Sequence, residues 1–249
     1  MRGLRELGVI CAFTALVTMP RPVSTQQAPI HAPDGGTRQM IVSIAVPSIP
    51  DSPFSATVNT EWTRYLDDGS TLVLGNHRTI ARDGQGRVFQ ERRGLAPVSD
   101  AAQATRLTMI EIADPAAQQI ARCVPDRTQC ELQFYRSLPA AVPSRTGAMP
   151  RGAMKSESLG TQTVEGFDAV GTRETTTLAG AAVGADRSLT VTREFWYSPR
   201  LAINLSTKRT DPRSGIELFT VTDIRTSEPD PSLFQLPKGA RVIDHRGGR

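Results

Sequence analysis

The chain has 249 residues, of which 39% are hydrophobic and 22% are charged, and its formal net charge is +4. This composition is sufficient for a folded core, although not for a rich one. The basic residues are scattered and the aromatic fraction is only 5%, whereas nucleic-acid-binding proteins group basic side chains with stacking aromatics. We therefore expect no nucleic-acid partner.

The first 25 residues predict an export signal. Met1–Arg5 carries two arginines, Val9–Met19 is apolar and uncharged, and Pro20–Thr25 is small and polar. This order is typical of a secretory signal peptide, and the apolar run is shorter than the roughly 20 residues that span a bilayer. A lipoprotein signal needs a small residue before its cysteine, whereas Ile10 precedes Cys11. We expect a periplasmic or secreted protein with no stable membrane span.

The rest of the chain divides into three predicted parts. Residues 26–53 are rich in Pro, Ala, Gly and polar residues and predict a linker, in which Met40–Val46 can form a short edge strand. Residues 54–237 predict a single antiparallel β domain. Residues 238–249 predict a disordered tail.

The first two strands of this domain show a clear two-residue period. Apolar side chains share one side of the predicted strands at Phe54, Ala56, Val58, Trp62, Leu72, Leu74 and Ile80. About ten such strands, joined by short turns, follow one another with almost no helical periodicity. The sequence therefore predicts an all-β fold: a curved antiparallel meander that forms a half-barrel or partly open barrel, with little helix.

Cys123 and Cys130 predict a disulfide within one hairpin. An even number of cysteines in an exported chain favours disulfide pairing. If Asp126 and Arg127 form a two-residue turn, Cys123 faces Cys130 directly, and opposed side chains in a ladder lie close enough to be bridged. A redox-active pair would have C-x-x-C spacing, and a metal site would have further ligands nearby. We expect neither a metal nor a cofactor.

Three segments resemble the bacterial periplasmic half-barrel family that includes the carrier LolA and the sensor RseB. They are LGTQTVEGFDAVGTR (Leu159–Arg173), FWYSPRLAINL (Phe195–Leu205) and DPSLFQLP (Asp230–Pro237). The phrases ending in DGS and DGQGR also resemble a group of uncharacterised secreted bacterial proteins. The resemblance to LolA and RseB covers about Phe54 to Pro237, and it implies a half-barrel that binds a lipid or a protein.

The sequence contains no arrangement typical of an enzyme. The G-x-S-x-G motif of a serine hydrolase and the spaced ligands of a metal hydrolase are both missing. Of the three histidines, His31 lies in the linker, His245 in the tail and His77 in a strand. We therefore expect no enzymatic activity. An unrecognised hydrolase that uses His77 remains a second alternative, and it requires a carboxylate or a hydroxyl beside that ring in a cleft.

The leading hypothesis is a binding protein for a hydrophobic ligand, such as a lipid or an acyl chain. A half-barrel does not fill its interior as a small closed barrel does, and an exposed apolar surface in a cleft is typical of a binding site. The predicted groove residues are Trp62, Leu72, Leu74, Ile110, Ile112 and Trp196. The first alternative is an envelope protein-binding or sensor module that docks a partner on a strand edge or on Leu138–Met154.

Overall fold

The computed structural model of the chain describes residues 30–32, 37–38, 40–41, 44–98 and 105–247. The predicted signal segment, residues 1–25, lies outside the described residues. The strands are β1 (Ile30–His31), β2 (Thr37–Arg38), β3 (Met40–Ile41), β4 (Phe54–Tyr65), β5 (Thr71–Arg82), β6 (Val88–Arg93), β7 (Ala96–Pro97), β8 (Leu107–Asp114), β9 (Gln119–Val124), β10 (Gln129–Phe134), β11 (Val142–Pro143), β12 (Gly147–Met149), β13 (Gly152–Val164), β14 (Phe167–Leu178), β15 (Leu189–Ser198), β16 (Ile203–Asp211), β17 (Gly215–Arg225) and β18 (Arg241–Asp244). One short helix, α1 (Gly180–Val183), and two 3-10 turns, Pro125–Arg127 and Pro231–Phe234, accompany them.

Fourteen of these strands form one open sheet. Its order is β12-β13-β14-β15-β16-β17-β4-β5-β6-β8-β9-β10-β18, with β7 paired to β5. The long strands pair antiparallel, whereas β18 runs parallel to β10. The predicted all-β, curved and open sheet is confirmed. The sheet is built from two meanders, β4 to β10 and β12 to β17, which meet where β17 pairs with β4.

Alternate side chains of β4 define the two faces of the sheet. Phe54, Ala56, Val58 and Thr60 are buried and define the inner face, while the residues between them define the outer face. Directly paired residues share a face, so the strand register extends this assignment across the sheet. Apolar inner-face residues form much of the main core: Phe54, Ala56, Val58, Ile80, Val88, Phe219 and Val221. The inner face of the sheet therefore carries the main core, to which Ile44 and Val46 of the preceding segment also contribute.

A second core covers the outer face of β5, β6, β8, β9 and β10. It contains Ala81, Phe89, Ile112, Ala121, Leu132 and Phe234. Phe234 belongs to the 3-10 turn that begins after Asp230, whose side chain accepts a hydrogen bond from the amide of Ser232 at 2.8 Å. The segment then returns to pair β18 with β10. The region predicted as a disordered tail, 238–249, therefore contains a strand, because the amide of Arg241 donates to the carbonyl of Thr128 at 2.8 Å.

The region predicted as a linker, 26–53, contributes to the core. Ile44 and Val46 are buried in the main cluster. Within the predicted edge strand Met40–Val46, residues 40–41 form β3, which pairs with β2 rather than with the large sheet. Residues 44–49 form no strand, and Ile44 and Val46 pack on the sheet. The limits of the single domain remain a prediction.

Candidate ligand-binding face

The inner face of the β4–β5 ladder changes from apolar to polar and back to apolar along its length. Each rung is a pair of directly opposed residues, and the rungs from one end to the other are Arg64–Leu72, Trp62–Leu74, Thr60–Asn76, Val58–Arg78, Ala56–Ile80 and Phe54–Arg82. We call Trp62, Leu72 and Leu74 the apolar end, Thr60, Asn76 and Arg78 the polar middle, and Phe54 and Arg82 the closed end. This ordering brings three of the six predicted groove residues together.

The apolar end is partly open to solvent. Trp62, Leu72 and Leu74 are all half-buried, and Trp62 lies directly opposite Leu74. The indole Nε1 of Trp62 donates to the carbonyl of Ser214 at 2.8 Å, which fixes one edge of the ring. The guanidinium of Arg64 lies 5.1 Å from the ring centroid, in the range of a cation–π contact. The aromatic surface is therefore held in a defined position beside two leucines.

The polar middle is buried and incompletely hydrogen-bonded. Thr60, Asn76 and Arg78 are 4%, 7% and 5% exposed. The side-chain amide of Asn76 donates to the carbonyls of Arg93 and Gly94 at 2.9 and 3.2 Å. Four other atoms have no hydrogen-bond partner among the described residues: Thr60 Oγ1, Asn76 Oδ1, Arg78 Nη1 and Arg78 Nη2. Such groups are rare in folded proteins and call for an explanation.

The electrostatic environment of Arg78 is unfavourable to its charge. Burial and, to a smaller extent, the nearby positive charge of Arg92 together lower the pKa of the guanidinium to about 9, although Glu91 acts in the opposite direction. Arg92 lies beside Arg78 on the inner face, by extension of the β5–β6 register. An isolated buried charge is strongly disfavoured unless a counter-charge compensates it.

Ion pairs flank the polar middle on both sides. Toward β9, Glu111 pairs with Arg122 at 2.9 Å and lies 3.9 Å from Arg92. Toward β16, Arg209 pairs with Asp211 at 2.9 Å and with Glu217 at 3.2 Å. The inner face is thus lined by charged side chains on either side of the β4–β5 ladder, and an apolar groove along its whole width is not present in the described residues.

The closed end contrasts with the polar middle. Arg82 is fully buried, and its guanidinium donates to the carbonyls of Ser52, Pro47 and Leu201 and to Ser52 Oγ, at 2.8 to 3.1 Å. It also lies 5.0 Å from the ring centroid of Phe54. Burial lowers the pKa of Arg82 to about 10. Its donors are nevertheless matched by carbonyls that would otherwise be buried without partners.

The segment that contains β1 lies against the inner face near β14 and β15. His31 is 5% exposed, and its ring stacks on Phe195 with 3.9 Å between centroids and 7° between planes. His31 Nε2 lies 3.1 Å from Glu174 Oε1, and the amide of Ala32 donates to Asn204 Oδ1 at 3.0 Å. The sequence predicts His31 within a linker, and its composition contains no signal for this buried contact.

Glu174 is a buried carboxylate with a defined charge partner. Burial raises its pKa, but the hydrogen bond from His31, a contact with Ser144 and the positive charge of Arg193 outweigh that effect, so the pKa of Glu174 lies below its usual value. The inner face therefore contains the buried carboxylate of Glu174, which is stabilised as an anion, and the buried guanidinium of Arg78, which is not stabilised as a cation.

Ile110 and Ile112 lie on the outer face, away from the apolar end. Ile110 is opposite Glu91 and Ile112 is opposite Phe89, and both pack in the second core around Phe234. The sequence predicts these two residues in the groove. In β8, apolar residues occupy both alternating sets of positions, so alternation does not distinguish the two faces. Their inward or outward direction then depends on the register with β6, which local alternation does not determine.

Trp196 also lies on the outer face. It is directly opposite Gly171 in β14, and a Cβ atom at Gly171 would come within 2.6 Å of the Trp196 ring. The indole therefore covers a glycine backbone, and the side chain is half-buried. The preceding residue, Phe195, is the one that faces inward, where it stacks on His31. The six predicted groove residues thus do not form one surface.

The disulfide joins Cys123 in β9 to Cys130 in β10, with 4.0 Å between their Cα atoms. The predicted direct opposition of the two residues is confirmed by the strand register. The turn is wider than the predicted two-residue turn, because Pro125–Arg127 forms a 3-10 turn and Thr128 follows with a left-handed φ of 47°. The bridge faces outward, on the side of Ile110, and lies away from the inner face.

His77 lies on the outer face at a small cavity. The ring is exposed, and its Nδ1 lies 2.5 Å from Asn59 Oδ1, while the Asn59 amide donates to Thr222 Oγ1 at 3.0 Å. The cavity has a volume of about 130 Å³, with Val98 and Leu218 in its apolar wall. The hydrolase alternative expected a carboxylate or a hydroxyl beside this ring, and the group found there is an amide.

The described residues contain neither a cluster of metal-ligating side chains nor a membrane-spanning helix. No group of three or more His, Cys, Asp or Glu side chains is arranged to hold a metal ion. No helix in this part of the chain combines the length and the apolar character needed to cross a bilayer.

Known proteins resemble this chain in structure rather than in sequence. No protein-family model matches the chain, and no curated protein matches it. Among solved structures, it is similar to the MucA/MucB complex of Pseudomonas aeruginosa, with 15% identity and a TM-score of 0.33, over 77% of this chain and 58% of that chain. The chain thus spans little more than half the length of that match.

Two other solved structures show the same level of similarity. The lipoprotein LppX of Mycobacterium tuberculosis matches with 11% identity and a TM-score of 0.27, over 71% of this chain and 88% of that one. A LolA superfamily protein of Nitrosomonas europaea matches with 9% identity and a TM-score of 0.27, over 77% and 98%. The solved structures that are similar to this chain thus include MucB and a LolA superfamily protein. The similarity concerns the fold alone and does not indicate what this chain binds.

Proposed function

We propose that the protein is an exported, non-enzymatic binding protein that holds a hydrophobic ligand, a lipid or an acyl chain, against the apolar end of its inner face. The observation that carries this proposal is the half-exposed cluster of Trp62, Leu72 and Leu74 on a face whose other side chains are largely buried. A tryptophan fixed by a hydrogen bond offers a large apolar surface at little cost in conformational entropy, as binding sites favour.

The proposal uses three of the six residues predicted from the sequence. Ile110, Ile112 and Trp196 stay outside it, because the strand register directs them to the opposite face. The site is therefore smaller than the groove predicted from the sequence. One acyl chain lying along the β4–β5 ladder fits this arrangement better than several chains spread across the sheet.

The proposed location is the periplasm or the medium outside the cell. The order of charged, apolar and small polar residues in the first 25 positions supports export. The disulfide between Cys123 and Cys130 supports an oxidising compartment. Cell fractionation with an antibody to the mature chain tests the location, and a protein found only in the cytosol would contradict it.

Mass spectrometry of the protein purified from the envelope without detergent tests the function. We expect a lipid in reproducible stoichiometry with the protein. Trp62→Ser and Leu74→Ser should lower that stoichiometry, because both substitutions remove apolar surface from the same rung. Trp196→Phe is the matched control, because Trp196 lies opposite Gly171 and away from the Trp62–Leu74 rung. A protein that carries no lipid and takes up no added acyl chain would overturn the proposal.

A second candidate function is the docking of a protein partner on the free edge of the sheet. The strand β12 is the terminal strand at one edge, and all three of its residues are exposed. An extended peptide can add to such an edge through backbone hydrogen bonds. Crosslinking in the envelope tests this candidate, and Ala148→Pro should abolish the crosslink, because proline removes a backbone donor from the edge.

A further inference from the structure

The polar middle has the chemistry of a head-group site. We propose that Arg78, Asn76 and Thr60 bind the head group of an amphiphile, and that this head group combines an oxyanion with a hydroxyl group. The inference rests on the proposed function, because the neighbouring Trp62 and Leu74 would contact the chain of the same molecule. It goes further by naming the class of ligand.

The unpartnered guanidinium of Arg78 indicates that the head group contains an oxyanion. The side chain is 5% exposed, and both terminal nitrogens lack a hydrogen-bond partner among the described residues. An arginine does not escape this situation by losing its proton in ordinary conditions. A carboxylate or a phosphate can accept two parallel hydrogen bonds from these nitrogens, and it supplies the missing negative charge.

The nearest carboxylates of the chain are engaged elsewhere. Glu91 accepts hydrogen bonds from Arg93 Nε at 2.9 Å and from the amide of Thr79 at 3.0 Å. Glu111 accepts one from Arg122 at 2.9 Å. Arg92 adds positive charge beside Arg78. The polar middle thus has an excess of positive charge that is complementary to an anionic head group.

The unpartnered oxygens of Asn76 and Thr60 indicate that the head group also contains a hydroxyl group. The amide nitrogen of Asn76 is directed to two backbone carbonyls, so its oxygen is directed away from them. This oxygen accepts hydrogen bonds only, and it has no donor among the described residues. A carboxylate or a phosphodiester without a hydroxyl would offer it no donor. A hydroxyl next to the oxyanion would donate to Asn76 Oδ1, and Thr60 Oγ1 could accept or donate alongside.

The arrangement along the ladder supports a single molecule. Arg78 and Leu72 are six residues apart on the same face of β5, which corresponds to about 20 Å. The polar middle and the apolar end are therefore adjacent parts of one strip. An extended acyl chain that begins at Arg78 would pass Trp62 and Leu74 and reach the open end of the ladder.

Binding of matched amphiphiles tests the inference. The protein has two tryptophans, so Trp196→Phe leaves Trp62 as the only reporter of fluorescence. The probes are monoacyl phosphatidylglycerol, which has the oxyanion and hydroxyls, and monoacylglycerol of the same chain, which has only the hydroxyls. We expect the first to bind about 10- to 100-fold more tightly, because a charge-assisted pair to Arg78 forms only with it.

The methyl ester of an alkyl phosphate with the same chain length tests the hydroxyl. It retains the single negative charge of the phosphodiester but has no hydroxyl anywhere to donate to Asn76. We expect it to bind more weakly than monoacyl phosphatidylglycerol, and equal affinity of the two would overturn the hydroxyl part of the inference. Glycerol phosphate tests the amphiphile, and an affinity equal to that of the monoacyl lipid would overturn it in favour of a site for a free anion.

Arg78→Gln separates a binding role from a structural one. We expect it to reduce the affinity for monoacyl phosphatidylglycerol to that for monoacylglycerol, to leave the latter unchanged, and to keep Tm at or above the wild-type value. Arg136→Gln, at an exposed site, is the matched control and should change neither affinity. Unchanged selectivity in Arg78→Gln would overturn the inference and leave the proposed function standing. Failure of all the amphiphiles to bind to the wild type would overturn the proposed function itself.

Discussion

Arg82 and Arg78 occupy the same strand and the same face, four residues apart, and both are buried. Arg82 donates to three backbone carbonyls and one hydroxyl, so its charge is held by structure that it also stabilises. Arg78 has no such partners for its terminal nitrogens in the described residues. A buried charge can therefore either stabilise a fold or form part of a binding site, depending on whether the chain itself supplies its hydrogen-bond partners.

Arg82→Met should have the largest effect. It leaves the carbonyls of Ser52, Pro47 and Leu201 buried without a donor, and we expect the free energy of unfolding to fall by about 3 kcal/mol or more. Urea unfolding followed by circular dichroism measures the change. Arg136→Met, at an exposed position, is the control. A loss below about 1 kcal/mol would show that the carbonyls find other donors.

Arg78→Met should have a smaller effect of the opposite sign. Removal of a buried charge that lacks partners relieves a desolvation cost, and we expect the unfolding free energy to rise by about 1–2 kcal/mol. The same urea experiment measures it. If Arg78→Met destabilises the protein as much as Arg82→Met does, then Arg78 is compensated within the chain and the contrast between the two arginines is lost.

Ser52→Ala sharpens the contrast by removing only one acceptor of Arg82. The hydroxyl accepts from Arg82 Nη2 at 2.8 Å, while the carbonyl of Ser52 still accepts from Nε. We expect a loss of about 0.5–1 kcal/mol. The exposed Ser188→Ala serves as the control in the same thermal and urea measurements, and an equal loss in both variants would contradict the expectation.

Glu174 is a buried charge with one side-chain partner, and it is intermediate between Arg82 and Arg78. Its substitution should change the free energy of unfolding the least. Its folded-state pKa lies below the usual value, so the stability it contributes is present above about pH 4.5 and is lost as the pH falls through the folded pKa. The difference in unfolding free energy between wild type and Glu174→Gln should therefore shrink between about pH 7 and about pH 3. A difference that does not change over this range would contradict the stabilising hydrogen bond between Glu174 and His31.

The sequence predicts those features of the fold that local alternation determines. In β4, the apolar residues Phe54, Ala56, Val58 and Trp62 occupy one set of alternating positions, and the structure places this set on the inner face. In β5, Leu72, Leu74 and Ile80 share that face, although Val73 and Ala81 occupy the other set. In the segment that forms β8 (LTMIEIAD) and in the run Phe195–Tyr197, apolar residues occupy both sets. The face of Ile110, Ile112 and Trp196 then depends on pairing with distant strands, which no local pattern contains.

The polar middle did leave a signal in the sequence. Arg78 is in phase with Leu72, Leu74 and Ile80 on β5, so a charged residue stands at a position where alternation predicts burial. By contrast, the burial of His31 had no signal, because its contacts with Glu174 and Phe195 join segments that are far apart in the chain. A charged residue at an apolar position of a strand thus indicates a buried charge, and its hydrogen-bond partners decide whether it is structural, as at Arg82, or lacks partners, as at Arg78.

The pairing of β17 with β4 has a consequence for how the molecule is made. Asn59 and Thr222 meet across this pair although 163 positions separate them. At about 5–20 residues per second of synthesis, β4 exists for about 10–30 s before β17 is complete. During that interval one edge of β4 is unprotected, and contacts of such high sequence separation are slow to form. The centre of the finished sheet is thus closed only after β17 has been made, and until then this edge of β4 is open to misassembly.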